Sequence, residues 1–107
     1  MFDNASDDGY RESLPGIRQK TLVWGEKTLM TEFRLKRGVH LPEHSHPHEQ
    51  TGYLVRGSMT LYIGNEQSRL HPGDSWNIPS GVPHHAEIHE DSVAIEIFHP
   101  VRQEYLP

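Results

Sequence analysis

Short runs of alternating apolar and polar residues, separated by turn signals, recur along this chain from Lys20 onward. In Leu29–Lys36 the odd positions are mostly apolar and the even ones mostly charged, the period of two that marks a half-buried β-strand. Met59, Leu61 and Ile63 alternate with Ser58, Thr60 and Tyr62, and Val93, Ile95 and Ile97 share one face of Ser92–Phe98. Thr21–Trp24, Tyr53–Val55 and Trp76–Ile78 are β-rich runs of strand length. Arg37-Gly38, Arg56-Gly57, Gly64-Asn65, Pro72-Gly73 and Ser80-Gly81 read as turns between them. No window of about eleven residues carries a helical stripe. About eight strands in 107 residues predict one all-β domain over 1–107, a small sandwich or barrel, because closure removes exposed edges. Residues 1 to about 15 are polar and aperiodic and are expected to form a loose arm.

Composition removes several functional classes. The longest apolar run is three residues, as in Leu61-Tyr62-Ile63, which excludes a transmembrane helix. The acidic N-terminus lacks the apolar stretch of a signal peptide, so a cytoplasmic location is expected. Without cysteine there is no disulfide, thiolate ligand or cysteine nucleophile. A net charge of -5 argues against a nucleic-acid partner.

The nine histidines are unevenly spread: His40, His44, His46 and His48 form one group, His84, His85 and His89 another. Alternation lets His44 and His46 point to one side of a strand, one pleat apart. Gln50 shares their parity, and His48 ranks below it as a donor because Pro47 interrupts the strand between. His84 shares parity with Ala86 and Ile88, an inward face, while His85, Glu87 and His89 face solvent. Two adjacent imidazoles with no common partner are costly to bury, so His44, His46 and a third donor from elsewhere read as a metal site. His71, His85, His89 and His99 are read as ordinary histidines, and His40 as at most lining an entrance.

Gly38, His44, His46, Gln50 and Gly57 resemble the first cupin motif, and Gly73, Pro79, Gly81 and His84 the second, fifteen residues further on. The resemblance implies a double-stranded β-helix, or jelly-roll, barrel holding one divalent metal through His44, His46, Gln50 and His84. Pro79 and Pro83 would rigidify the loop that delivers His84, and Trp24 and Trp76 would serve as core or wall residues. Gln50 stands where the commonest cupins carry glutamate, and Glu43 and Glu49 have the wrong parity to replace it. Four neutral donors leave the ion its full charge, which suits an anionic substrate better than 2-His-1-carboxylate iron chemistry. Zinc or nickel is favoured, and the donors also accept manganese, iron, cobalt or copper.

Alternation alone leaves open whether Val93, Ile95 and Ile97 or Glu96 and Phe98 face the interior. Glu96, Phe98, Pro100, Val101 and Arg102 resemble the closing stretch of small cupins of pectin and alginate breakdown, which open 4,5-unsaturated uronates to linear keto forms. That resemblance turns Glu96 and Phe98 inward. It implies that Glu96 moves a proton, Phe98 packs on the sugar and Arg102 holds its carboxylate. The family's acid is aspartate where this chain has Glu96. The resemblance further implies an enzyme acting on a small anionic substrate, as a homodimer. A non-catalytic metal- or sugar-binding cupin, or a metal-dependent dioxygenase, is the alternative.

Overall fold

The computed structural model describes residues 1–107. Eight strands follow one another: β1 (Arg11–Leu14), β2 (Ile17–Trp24), β3 (Leu29–Leu35), β4 (His40–His44), β5 (Glu49–Ile63), β6 (Glu66–Leu70), β7 (Ser75–Ile78) and β8 (His84–His99). A single 3₁₀ turn, Gln103–Tyr105, follows. All pairings are antiparallel, in the order β1-β2-β3-β8-β5-β6, with β4 on β8 and β7 on β5.

Two long strands turn this ribbon into a barrel. β8 pairs with β4 through His84–Glu87 and with β3 through Ser92–Phe98, and β5 runs beside it along both halves. Each therefore belongs to both walls, and the interior between them is packed by Ile17, Leu35, Leu54, Met59, Leu61, Leu70, Ala86, Ile88 and Ala94. The turn expected at Arg56-Gly57 is instead a bulge inside the continuous strand β5, with register shifts from Leu54 to Met59. A bulge adds one residue and bends the strand. It also exchanges the inward set, from Gln50, Gly52 and Leu54 before it to Met59 and Leu61 after it.

Gly57 makes that corner possible. Its φ is 101°, and a Cβ there would lie 2.1 Å from Ser92 Oγ and 2.6 Å from both Asp91 O and Ser92 Cα. Gly57→Ala is expected to destabilise the fold by about 3 kcal/mol, since overpacking and backbone strain each cost roughly 1–3 kcal/mol. Urea denaturation measures this; a loss below about 1 kcal/mol would show that the corner relaxes freely.

The expected N-terminal arm is shorter than residues 1–15, because β1 begins at Arg11 and pairs with β2 across Pro15-Gly16. The residue before it is also held. Tyr10 donates a 2.6 Å hydrogen bond to Glu32, and the Arg34 guanidinium lies 4.3 Å from its ring centroid. At the other end, Thr21 donates to the Tyr105 carbonyl and Arg11 to that of Glu104, fastening the tail across β1 and β2. No helix is long and apolar enough to cross a membrane.

Candidate metal centre

His44 closes β4 directly opposite His84, which opens β8. An irregularity between Leu41 and His44 changes the facing of β4. His44 thereby joins the inward His84, whereas His40 of the same parity lies on the outer side, its ring 5.9 Å from that of His85. His46 is not on the strand as alternation suggests: β4 ends at His44 and His46 sits in the connection 45–48. It still converges, with ring centroids 5.8 Å from His44 and 5.0 Å from His84, while His44 and His84 are 4.1 Å apart. One ring nitrogen from each of the three lies within 4.8 Å of the other two.

The surrounding backbone selects which nitrogen that is. Nδ1 of His44, His46 and His84 lies 2.9 Å from the carbonyls of Pro42, His48 and Val82 respectively. A carbonyl only accepts, so each Nδ1 carries the hydrogen and each Nε2 presents a bare lone pair, the arrangement that orients metal-binding histidines. Nε2 of His84 is buried with no hydrogen-bond partner, a loss of roughly 1–3 kcal/mol that a cation would remove. Burial, reinforced by His44, His46 and Arg102, pushes the His84 imidazole down to about 4, although its bond to Val82 opposes this. Burial, with Arg102 adding to it, lowers His46 as well. Both are neutral near pH 7 and available as donors.

Gln50 Oε1 lies 3.0 Å from His46 Nε2. With the His46 hydrogen on Nδ1, its Nε2 lone pair and the amide oxygen are placed to share a cation. These residues fit a divalent ion bound by three imidazoles and one amide oxygen. His48 is not among the three histidines whose ring nitrogens converge, and its Nδ1 is buried without a partner. Glu43 and Glu49 are exposed, and Glu49 accepts from Asn77. His85 stacks on Tyr62 and His89 bonds Thr60, both on the outer side.

A cavity of about 310 Å³ opens beside the histidines, with His44, Gln50, His84, Glu96, Phe98 and Arg102 among its lining. The open question of β8 is decided: Glu96 is 7% and Phe98 1% exposed, against 36% for Ile97. Burial pushes the Glu96 carboxyl up to about 8, opposed by hydrogen bonds from Gln50 and Trp76, so it can exchange a proton near neutral pH. The Arg102 guanidinium lies 4.1 Å from the Tyr105 ring and 5.0 Å from the Phe98 ring. Its Nε and Nη2 both donate to one Glu104 oxygen, at 2.8 and 2.7 Å. That leaves the Nη1 side of the fork without an ion-pair partner.

Three features of the cavity escaped the sequence reading. Tyr105 and the buried Gln19 also line it. The Trp76 indole, expected as a core or wall residue, donates to Glu96 at 3.2 and 3.3 Å. The shared parity of Trp76 with Ile78 was the one available signal, since Ile78 is fully inward.

An antiparallel β-barrel with converging histidines from two separated stretches is the architecture of a cupin. The Cupin domain model matches residues 31–99, well over half of the chain, and the protein belongs to that family. Within it, the chain is 29% identical over 93 residues to the pectin degradation protein KdgF of Dickeya dadantii (strain 3937), covering 85% of this chain and 84% of that one. It superposes on KdgF from Halomonas sp. with a TM-score of 0.93 at 30% identity, covering 99% of this chain and 100% of that one. An RmlC-like cupin from Shewanella frigidimarina NCIMB 400 gives a TM-score of 0.92 at 22% identity, with 98% and 95% covered, which shows the shared fold.

Proposed function

We propose that this cupin is an enzyme that converts 4,5-unsaturated uronate monosaccharides to their linear keto forms. The observation that carries the reading is the meeting, at one small cavity, of His44 and His84 of the histidine triad with a buried carboxyl group, an aromatic ring and a held guanidinium. Similarity to KdgF along nearly the whole chain supports the substrate class. The conversion is an isomerisation. The bond between C1 and the ring oxygen breaks, the C1 hydroxyl gives up its proton, C4 gains one, and C5 becomes a ketone.

Arg102 binds the substrate carboxylate through the free side of its fork, and Phe98 packs against the sugar ring. Glu96 carries the proton between its donor and C4. The apolar walls, including Leu35, Leu61 and Ile88, exclude bulk water and strengthen each of these interactions. His44, His46, Gln50 and His84 hold the divalent ion, zinc or nickel in this reading, which when bound supplies positive charge that polarises a sugar oxygen. Four neutral donors leave that charge undiminished for an acidic sugar, offsetting the net charge of -5 on the protein. A cavity of about 310 Å³ is at the small end for ligand sites and suits a monosaccharide. The reading includes a cytoplasmic homodimer; exposed Tyr53, Val55 and Ile97 on the outer side of β5 and β8 offer apolar surface for self-association.

The test uses metal-loaded protein and a 4,5-unsaturated monouronate. Conversion removes the conjugated double bond, so ultraviolet absorbance is expected to fall well above the spontaneous rate. Decay at the spontaneous rate alone leaves a binding cupin, and oxygen uptake with iron-loaded protein would instead indicate a dioxygenase.

A further inference from the structure

Gly52 of β5 is the register partner of two residues at once, Trp76 on β7 and Glu96 on β8. A side chain at Gly52 would collide with the indole: a Cβ there would lie 2.2 Å from Trp76 Nε1 and Cε2 and 2.4 Å from Cζ2. The ring therefore lies across the bare backbone of the middle strand. Its N–H reaches the far neighbour, 3.2 and 3.3 Å from the two carboxyl oxygens of Glu96. On the other side of Glu96, the fully buried Thr31 donates to its backbone carbonyl at 3.1 Å. Main chain and carboxyl group are thus gripped from opposite directions.

We infer that Trp76 is a positioning residue for Glu96, holding its carboxyl group toward the cavity, and that Gly52 is the residue that admits it. This rests on the reading of Glu96 as the proton carrier. Glutamate has three side-chain torsions, and freezing them in the ground state removes an entropic cost from the reaction. The indole is suited to the task. It donates without accepting or ionising. A ring that only filled space would matter for stability and not for turnover.

Trp76→Phe keeps most of the ring and deletes the N–H. It is expected to lower kcat by roughly 10- to 100-fold, with KM and metal content within about twofold of wild type. In a Glu96→Gln background the same change should cost less than about twofold, because the two residues act as one unit. Gly52→Ala, which displaces an intact indole, should reproduce the kcat loss. Equal losses in both backgrounds, or an unchanged kcat in Trp76→Phe, would overturn the inference.

A second readout does not depend on turnover. In ¹⁵N-indole-labelled metal-loaded protein, with Trp24→Phe to assign the two tryptophans, the Trp76 N–H resonance should move on Glu96→Gln. A resonance that stays in place overturns the contact. Absence of wild-type turnover with a resonance that does move would reject the proposed reaction and keep the pairing.

Discussion

Glu96→Gln is expected to slow the conversion of an unsaturated uronate by about 10²- to 10⁴-fold, the usual worth of a positioned acid–base group. The substitution is nearly isosteric and keeps an oxygen to accept from the Trp76 indole, whose N–H lies 3.2 Å from the native carboxyl. What it removes is the transferable proton. Glu96 is 7% exposed and faces the same cavity as His44 and His84, so no exposed carboxyl group can take over. Metal content should be unchanged, because the donors proposed for the ion are imidazoles and an amide. Steady-state kinetics with parallel elemental analysis decides the matter. A rate within about threefold of wild type, at full metal occupancy, would remove Glu96 from proton transfer.

The second large effect is on metal binding. His84→Ala should reduce bound metal from one ion per chain to a trace after gel filtration, and turnover should fall with it. His84 is the most buried of the three imidazoles, and its ring lies within 5.0 Å of both others. The metal-free variant is expected to be about as stable as metal-free wild type. Deleting His84 leaves a small cavity but also removes the unpartnered Nε2, and these effects oppose each other. Added metal separates the two proteins. At a concentration 100 times its Kd it stabilises wild type by about 2.7 kcal/mol and raises its melting temperature, whereas the variant should not respond. Full metal content in His84→Ala would show that the ion is held elsewhere.

Which of these residues were readable beforehand follows from how strands encode direction. Alternation assigns faces reliably only within one unbroken ladder. His84, Ala86 and Ile88 lie in such a stretch, and all three are buried as parity predicts. His40 and His44 share parity yet point to opposite sides, because the ladder slips between Leu41 and His44. In β5 the bulge at Gly57 exchanges the inward set, and the sequence showed only a turn-like dipeptide there. His46 reaches the centre from a connection, where its Nδ1 bond to the His48 carbonyl sets its direction instead of a pleat.

The primary structure by itself determined the β-rich content, the absence of thiol chemistry, the two histidine-bearing stretches with their spacing, and the neutral character of the four donors proposed for the ion. These are local properties, carried by residue type and short-range periodicity. Periodicity left the facing of Glu96 and Ile97 open; tertiary structure alone decided that Arg102 lies against both the Phe98 and Tyr105 rings, and that Trp76 reaches Glu96 across Gly52. Each of those outcomes depends on register between strands far apart in the chain. Register is set by the packing of the whole barrel, and no run of neighbouring residues contains it.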